Sequence, residues 1–160
     1  ASCLVGSEMC IRDRLKAVVT QNIDGLHQAA GSKKVYELHG SVLRNYCMKC
    51  NRFYDADFIR KCSGIPRCTC GGIIKPDVVL YQEGLSDSVI NGAVTSIKEA
   101  DLLIVGGTSL NVYPAAGLIK YRSKDCFLLL INLTETPADS FADMVIHDSI
   151  GKIMGSIMSG

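Results

Sequence analysis

DLLIVGGTS, residues 101–109, is a short strand of almost unbroken apolar character, Asp101 to Val105, that runs into a polar glycine turn, Gly106-Gly107-Thr108-Ser109. An apolar run of this length bounded by turn residues fits a strand covered on both faces, as in a parallel sheet. Working backwards, SDSVINGAVTSIKE (86–99) places Val89, Ile90, Ala93, Val94 and Ile97 at helical spacing, with Ser86 or Asp87 available as N-cap. Working forwards, Pro114 opens a helix over Ala115 to Tyr121. Phe127 to Ile131 is a second buried strand, ending in Asn132-Leu133-Thr134, and Met144 to Ile146 is a third, shorter one. Ile150 to Met158 closes the chain as an apolar-faced helix. Further upstream, Lys16 to Thr20 and Val35 to Leu38 read as short strands, followed by Gln21-Asn22-Ile23-Asp24-Gly25 and by His39-Gly40; Asp77 to Tyr81 is strand-like again. Strands alternating with helices imply an α/β fold with a parallel sheet and helices on both faces. Polar or glycine-rich residues recur just after the strands, and ligands of such sheets bind outside the carboxyl ends.

The chain has 160 residues, enough for one compact domain or a domain with a small satellite. Lys and Arg number 17 against 16 Asp and Glu, a net charge of +1. That balance excludes a general nucleic-acid binder and an acidic disordered tail, so no direct nucleic-acid binding is expected. No apolar run approaches the ~20 residues of a membrane helix. The opening ASCLVGSEMCIRDRL is not a secretory signal, because its apolar stretch is short and Glu8, Arg12, Asp13 and Arg14 follow. The expected location is therefore cytoplasmic, where thiols stay reduced.

Eight cysteines in such a chain call for an explanation. Cys47-Met48-Lys49-Cys50 is a Cys-x-x-Cys pair, and Cys68-Thr69-Cys70 follows after 17 residues. Two close thiol pairs at that separation point to a four-thiolate zinc site on Cys47, Cys50, Cys68 and Cys70. The second pair has one spacer instead of two, and Cys62 is a possible substitute ligand. With all four positions filled by sulfur, the zinc is structural. Gly64, Pro66, Gly71, Gly72 and Pro76 give residues 45–75 a loop-rich character. Cys126 reads as a small buried apolar residue.

The segments VVTQNIDGLHQAAG (18–31), YELHGS (36–41), the four-cysteine module, GGIIKPDVVLYQE (71–83), GGTSLNVYPAAGL (106–118) and LLLINL (128–133) together resemble the sirtuins, NAD-dependent protein lysine deacylases. Order and spacing match from about Leu15 to the C-terminus. The resemblance implies a Rossmann-like sheet with a small zinc-binding module. It implies NAD as co-substrate and an acyl-lysine protein or peptide as the other substrate. His39, from the HG motif, would be the catalytic general base; histidine suits that role because its ordinary pKa of about 6.5 lies near working pH. Asn22 and Asp24 would contact the nicotinamide end of NAD and Gln21 the adjacent ribose. Gly106, Thr108 and Ser109 would approach phosphate and ribose, and Asn132 and Leu133 the adenosine. Val78, Val79 and Leu80 would pair with an extended acyl-lysine peptide by strand addition. The implied reaction passes the acyl group to ADP-ribose, with nicotinamide leaving and free lysine released.

Bland readings stand beside these. His39 could cap a loop, Asn22 and Asp24 could form Asx-turns, and the glycines could serve a tight turn. His27 and Glu83 read as structural, and His147 as a surface residue. The sirtuin pattern opens with a strand and a glycine-rich loop carrying phosphate, and residues 1–14 match neither. The expectation is an N-terminally shortened sirtuin: an anomalous segment 1–14, a nucleotide-binding part 15–44, a zinc module 45–76 and a second nucleotide-binding part 77–160. On that expectation the chain alone deacylates little. The alternative function is a non-catalytic, zinc-stapled peptide- or nucleotide-binding fragment. Gln82 departs from the glycine common at its position in the family. A nicotinamide dehydrogenase would need G-x-G-x-x-G after its first strand, which is absent.

Overall fold

A computed structural model describes residues 14–80 and 82–158. Cys3, Cys10, most of the anomalous segment 1–14 and Tyr81 lie outside the described residues. The elements in order are β1 (Val18–Thr20), α1 (Leu26–Ala29), β2 (Val35–Glu37), β3 (Gly40–Cys47), β4 (Phe53–Asp55), α2 (Ala56–Lys61), β5 (Ile74–Val78), α3 (Asp87–Lys98) and β6 (Leu102–Gly106). A 3-10 helix (Ala115–Tyr121), β7 (Phe127–Ile131), a 3-10 turn (Asp139–Phe141), β8 (Met144–Ile146) and α4 (Ile150–Met158) follow.

Parallel strands form two sheets among the described residues: β1 beside β2, and β6-β7-β8 in that order. The single parallel sheet expected from the alternation is thus met as two. They share a core through α3 and the 3-10 helix, where Leu38, Ile97, Ala115 and Leu118 pack against Val19 from β1 and Leu103 from β6. Helix α3 forms as its spacing predicts, burying Ala93, Ser96 and Ile97. Gly92 lets it approach β2: a Cβ there would lie 2.4 Å from the Tyr36 ring.

The central strand β7 explains its own sequence. Leu128, Leu130 and Ile131 are each at most 2% exposed, so both faces of the strand are covered. Each such side chain contributes roughly 1.5–3 kcal/mol of apolar burial. Asp143 Oδ2 accepts the Leu128 N–H at 2.7 Å beside them. Cys126, 2% exposed, is the small buried residue expected.

Four local expectations are corrected. The helix over Ala115–Tyr121 is 3-10, with the Gly117 N–H bonded to the Pro114 carbonyl at 3.0 Å. A seven-residue segment with a glycine at its third position has weak α-propensity, and short pieces tighten readily. Residues 45–75 are more regular than their glycines and prolines imply. They hold most of an antiparallel sheet, β4-β3-β5, and helix α2, capped by the Asp55 carboxylate on the Phe58 N–H at 2.7 Å. Strand β3 begins at Gly40 and crosses the expected module boundary at 44/45. Strand β5 covers Ile74–Val78, so Val79 and Leu80 lie just past its end and not within a strand over 77–81. No helix among the described residues is long and apolar enough to cross a membrane.

Candidate functional site

The turn after β1 is shaped by its own polar side chains. The Asn22 N–H bonds Thr20 Oγ1 at 3.1 Å, and Asp24 Oδ1 accepts the Leu26 N–H at 3.0 Å. The second contact is the Asx-turn foreseen for Asp24. Gly25, at φ +73°, opens α1. The loop is then stitched to β3: the Ile23 carbonyl accepts the Val42 N–H at 3.0 Å and the Ser41 hydroxyl at 3.4 Å. Asn22 and Asp24 remain exposed, and Asn22 makes no side-chain hydrogen bond among the described residues.

His39 follows β2 and is half-buried. Its Nδ1 lies 3.1 Å from the Gln21 carbonyl oxygen. Facing a carbonyl, Nδ1 carries the proton, so in the neutral ring Nε2 is the nitrogen with a free lone pair. The next residue, Gly40, has φ +77°, and a Cβ there would sit 1.9 Å from the Asp77 carbonyl oxygen. Beside it the Val79 N–H donates to the His39 carbonyl at 3.1 Å. The His39-Gly40 corner and the segment after β5 are therefore in direct backbone contact.

That segment, Val78–Leu80, is already partly hydrogen-bonded. Lys75 Nζ donates to the Val78 carbonyl at 3.1 Å and pairs with Glu83 Oε2 at 3.1 Å. Glu83 Oε2 also accepts the Leu80 N–H at 2.8 Å, while the Glu83 N–H returns to the Leu80 carbonyl at 3.0 Å. Leu80 is thus tied into a turn in which Gln82 takes the left-handed region at φ +72°, a conformation that favours glycine. The Leu80 N–H and then Lys75 hold the Glu83 carboxyl below its usual value. Glu83 is structural in its contacts, as expected.

A cleft of about 1340 Å³ brings these pieces together. Gln21, Asn22, Asp24 and His39 line it with Val78, Val79 and Leu80. The far wall contains Ile90, Val112, Tyr113 and Leu118, to which sequence reasoning gave no role. Val112, Tyr113 and Leu118 nevertheless lie within the 106–118 segment that carries the resemblance, and Val112 and Tyr113 are 53% and 69% exposed. Gly106, Thr108, Ser109, Asn132 and Leu133 do not line this cleft. They gather instead at the carboxyl ends of β6 and β7, where Gly106 lies opposite Ile131 and the Gly107 N–H meets the Ile131 carbonyl at 3.2 Å. Gly107 sits at φ +64° with open space where a side chain would be, so a ligand can approach that backbone closely. At Gly106 a Cβ would strike Ile150 Cδ1 at 2.3 Å. His147 is exposed, with Nδ1 3.3 Å from the Asn132 carbonyl oxygen and Nε2 3.3 Å from Asp139.

The four predicted cysteines form one cluster. All four sulfurs lie within 4.8 Å of one another, and the pairs Cys47–Cys70, Cys50–Cys68 and Cys50–Cys70 are each at 3.5 Å. Zn–S bonds of about 2.3 Å in a tetrahedron require S···S separations near 3.8 Å, so the donor set fits zinc. The Lys49 and Cys70 N–H groups point at Cys47 and Cys68 sulfur at 3.4 and 3.5 Å. Their protonation is mutually frustrated. The Cys70 N–H, followed by the Tyr54 hydroxyl, draws the Cys68 thiol down to about 5. The Gly72 N–H favours a Cys70 thiolate, yet the crowding sulfurs of Cys68, Cys47 and Cys50 push that thiol up to about 12. Holding all four as thiolates at this spacing takes a cation among them. Gly72 makes room for the cluster, since a Cβ there would lie 2.6 Å from Cys47 sulfur. Cys62 stands apart from the cluster, its thiol on the Phe58 carbonyl at 3.3 Å, and does not substitute as a ligand.

The sequence model of the Sir2 family matches residues 7–114. An NAD-dependent protein deacetylase of Clostridium perfringens is 64% identical over 146 residues, covering 91% of this chain and 60% of the relative. The chain therefore spans about three fifths of that relative's length. A solved Sir2–p53 peptide–NAD+ complex superposes with a TM-score of 0.91 at 37% identity, covering 99% of this chain and 68% of that one. A Sir2 structure with an inhibitor, 2'-O-acetyl-ADP-ribose and deacetylated p53 peptide superposes at 0.88 and 35% identity, covering 99% of this chain and 70% of that one.

Proposed function

The chain belongs to the Sir2 family, and on that premise we propose that its cleft is the acyl-transfer site of an NAD-dependent protein lysine deacylase. One observation carries the reading: His39, its Nδ1 committed to the Gln21 carbonyl, offers Nε2 as a base on the cleft shared with Asn22, Asp24 and Val78–Leu80. When bound, NAD supplies a ribose carbon whose leaving group is nicotinamide. Asn22 and Asp24, exposed on the cleft, orient the nicotinamide end, and Gln21 the adjoining ribose. Gly106, Thr108 and Ser109, with Asn132 and Leu133, hold the phosphates and adenosine at the carboxyl ends of β6 and β7. The open space above Gly107 fits such an approach.

His39 removes a proton from a ribose hydroxyl, and the Gln21 carbonyl keeps the ring in the tautomer that can do so. The acyl-lysine enters between Val78–Leu80 and the apolar wall of Val112 and Tyr113, which excludes water from the reacting atoms. Within Val78–Leu80, only the Val79 carbonyl and the Val78 N–H escape the side-chain and turn contacts described above, so strand addition by the peptide is short. Zinc on Cys47, Cys50, Cys68 and Cys70 holds the module rigid without joining the chemistry. Four thiols kept as ligands suit a reducing compartment, the cytoplasm.

The test uses the protein from its complete coding sequence. It should deacylate an acetyl-lysine peptide only when NAD is present, forming nicotinamide stoichiometrically. His39→Ala should lower turnover by about 10²–10⁴-fold while peptide affinity stays near wild type. Peptide binding with no NAD-dependent turnover in the wild type would favour the zinc-stapled binding module instead.

A further inference from the structure

The ladder between β3 and β5 is broken where the site is built. Ser41 pairs with Asp77 and Asn45 with Pro76, so Val42, Leu43 and Arg44 bulge from β3 with no partner opposite on β5, while Arg44 keeps its pairing with Asp55 of β4. A bulge re-aims side chains, and here it carries Arg44 to two carboxylates on two other strands. Arg44 Nη1 donates to Glu37 Oε2 at 2.7 Å and Nε to Asp77 Oδ2 at 2.8 Å. Glu37 stands two residues before His39 on β2, with its side chain only 8% exposed. Asp77 directly precedes the Val78–Leu80 segment. Among the described residues this is the one ion-pair link between the β1-β2 sheet and the antiparallel sheet.

We propose that Arg44 is a positioning residue that sets the peptide-binding segment against the base, by fixing Asp77 relative to Glu37 through one guanidinium. The proposal rests on the deacylase reading. The planar fork matters, because two of its nitrogens serve two carboxylates at once, whereas a lysine ammonium is a single point of charge. Between those anchors lies the Val79–His39 backbone hydrogen bond at 3.1 Å, the contact the clamp would hold in register.

The experiment compares wild type, Arg44→Met, Arg44→Lys and Asp77→Asn, each in the complete protein. Asp77→Asn is the safeguard should Arg44→Met leave Glu37 unpaired and the chain unfolded. Peptide KM is expected to rise at least about tenfold in Arg44→Met and clearly in Asp77→Asn, with NAD KM and kcat within about threefold. Hydrogen exchange at the Val79 amide should accelerate relative to the β7 amides. Arg44→Lys should fall between wild type and Arg44→Met. A purely structural role would lower Tm and leave peptide KM alone. Peptide KM within twofold of wild type in the folded variants, or full recovery by lysine, overturns the proposal. If the wild type shows no NAD-dependent turnover, the deacylase reading fails separately, and unchanged Val79 protection in Arg44→Met or Asp77→Asn then overturns the clamp.

Discussion

Gly40 and Glu83 show how individual residues hold the cleft. Gly40→Ala forces a methyl to within 1.9 Å of the Asp77 carbonyl at a left-handed φ. Overpacking and backbone strain together should cost about 2–4 kcal/mol, read as a lowered denaturation midpoint. Glu83 acts through charge. Folding lowers its pKa through the Leu80 N–H and Lys75, and unfolding returns it to the ordinary 4.5. Its contribution is therefore complete above the ordinary carboxylate range and fades as pH falls through the lowered folded value. Glu83→Gln should be less stable than wild type at neutral pH, and the gap should close in acid. A gap that persists below the carboxylate range would show that hydrogen bonding without charge holds the turn.

At the scale of elements, the zinc module and strand β7 are opposites. β7 was legible because its five residues are apolar and bounded by turns, and the structure reproduces Phe127–Ile131 without change. Met144–Ile146 was legible for the same reason, and Ile150–Met158 from its helical apolar face. The antiparallel sheet was not. Phe53 is 52% exposed, and Val42 and Leu43 are 41% and 45% exposed, so no apolar alternation marks its strands. The Cys-x-x-Cys pair announced the ligands but not the strands that carry them. Arg44 escaped notice because its partners depend on a strand register that no local pattern encodes. In the cleft, the QNID turn and His39 were readable as motifs, whereas Val112 and Tyr113 reach its wall through the fold, with no residue-level motif of their own. The module's small buried cluster, Cys47, Cys68 and Ile74 with Tyr54 and Ile59, makes it dependent on its metal. Cys47→Ser, or a strong chelator, should release zinc at one equivalent per chain and expose the β3, β4 and β5 amides to exchange. Retained protection there would show that apolar packing suffices.

At the scale of the whole molecule, the buried side chains of the described residues form three packed clusters, two of which share Leu103 while the third surrounds the cysteines. Metal loss should therefore spread unevenly: β7 amides should stay protected after chelation while those of β3 and β5 exchange. Uniform loss across both would mean one cooperative unit. Contact between the His39-Gly40 corner and Asp77–Val79 has a practical side for anyone recombining relatives of this protein. A crossover placed between those two segments would pair a corner from one parent with a groove from another. Chimeras that inherit residues 37–44 and 74–83 from a single parent should keep their activity far more often than chimeras that divide them, however alike the parents are elsewhere.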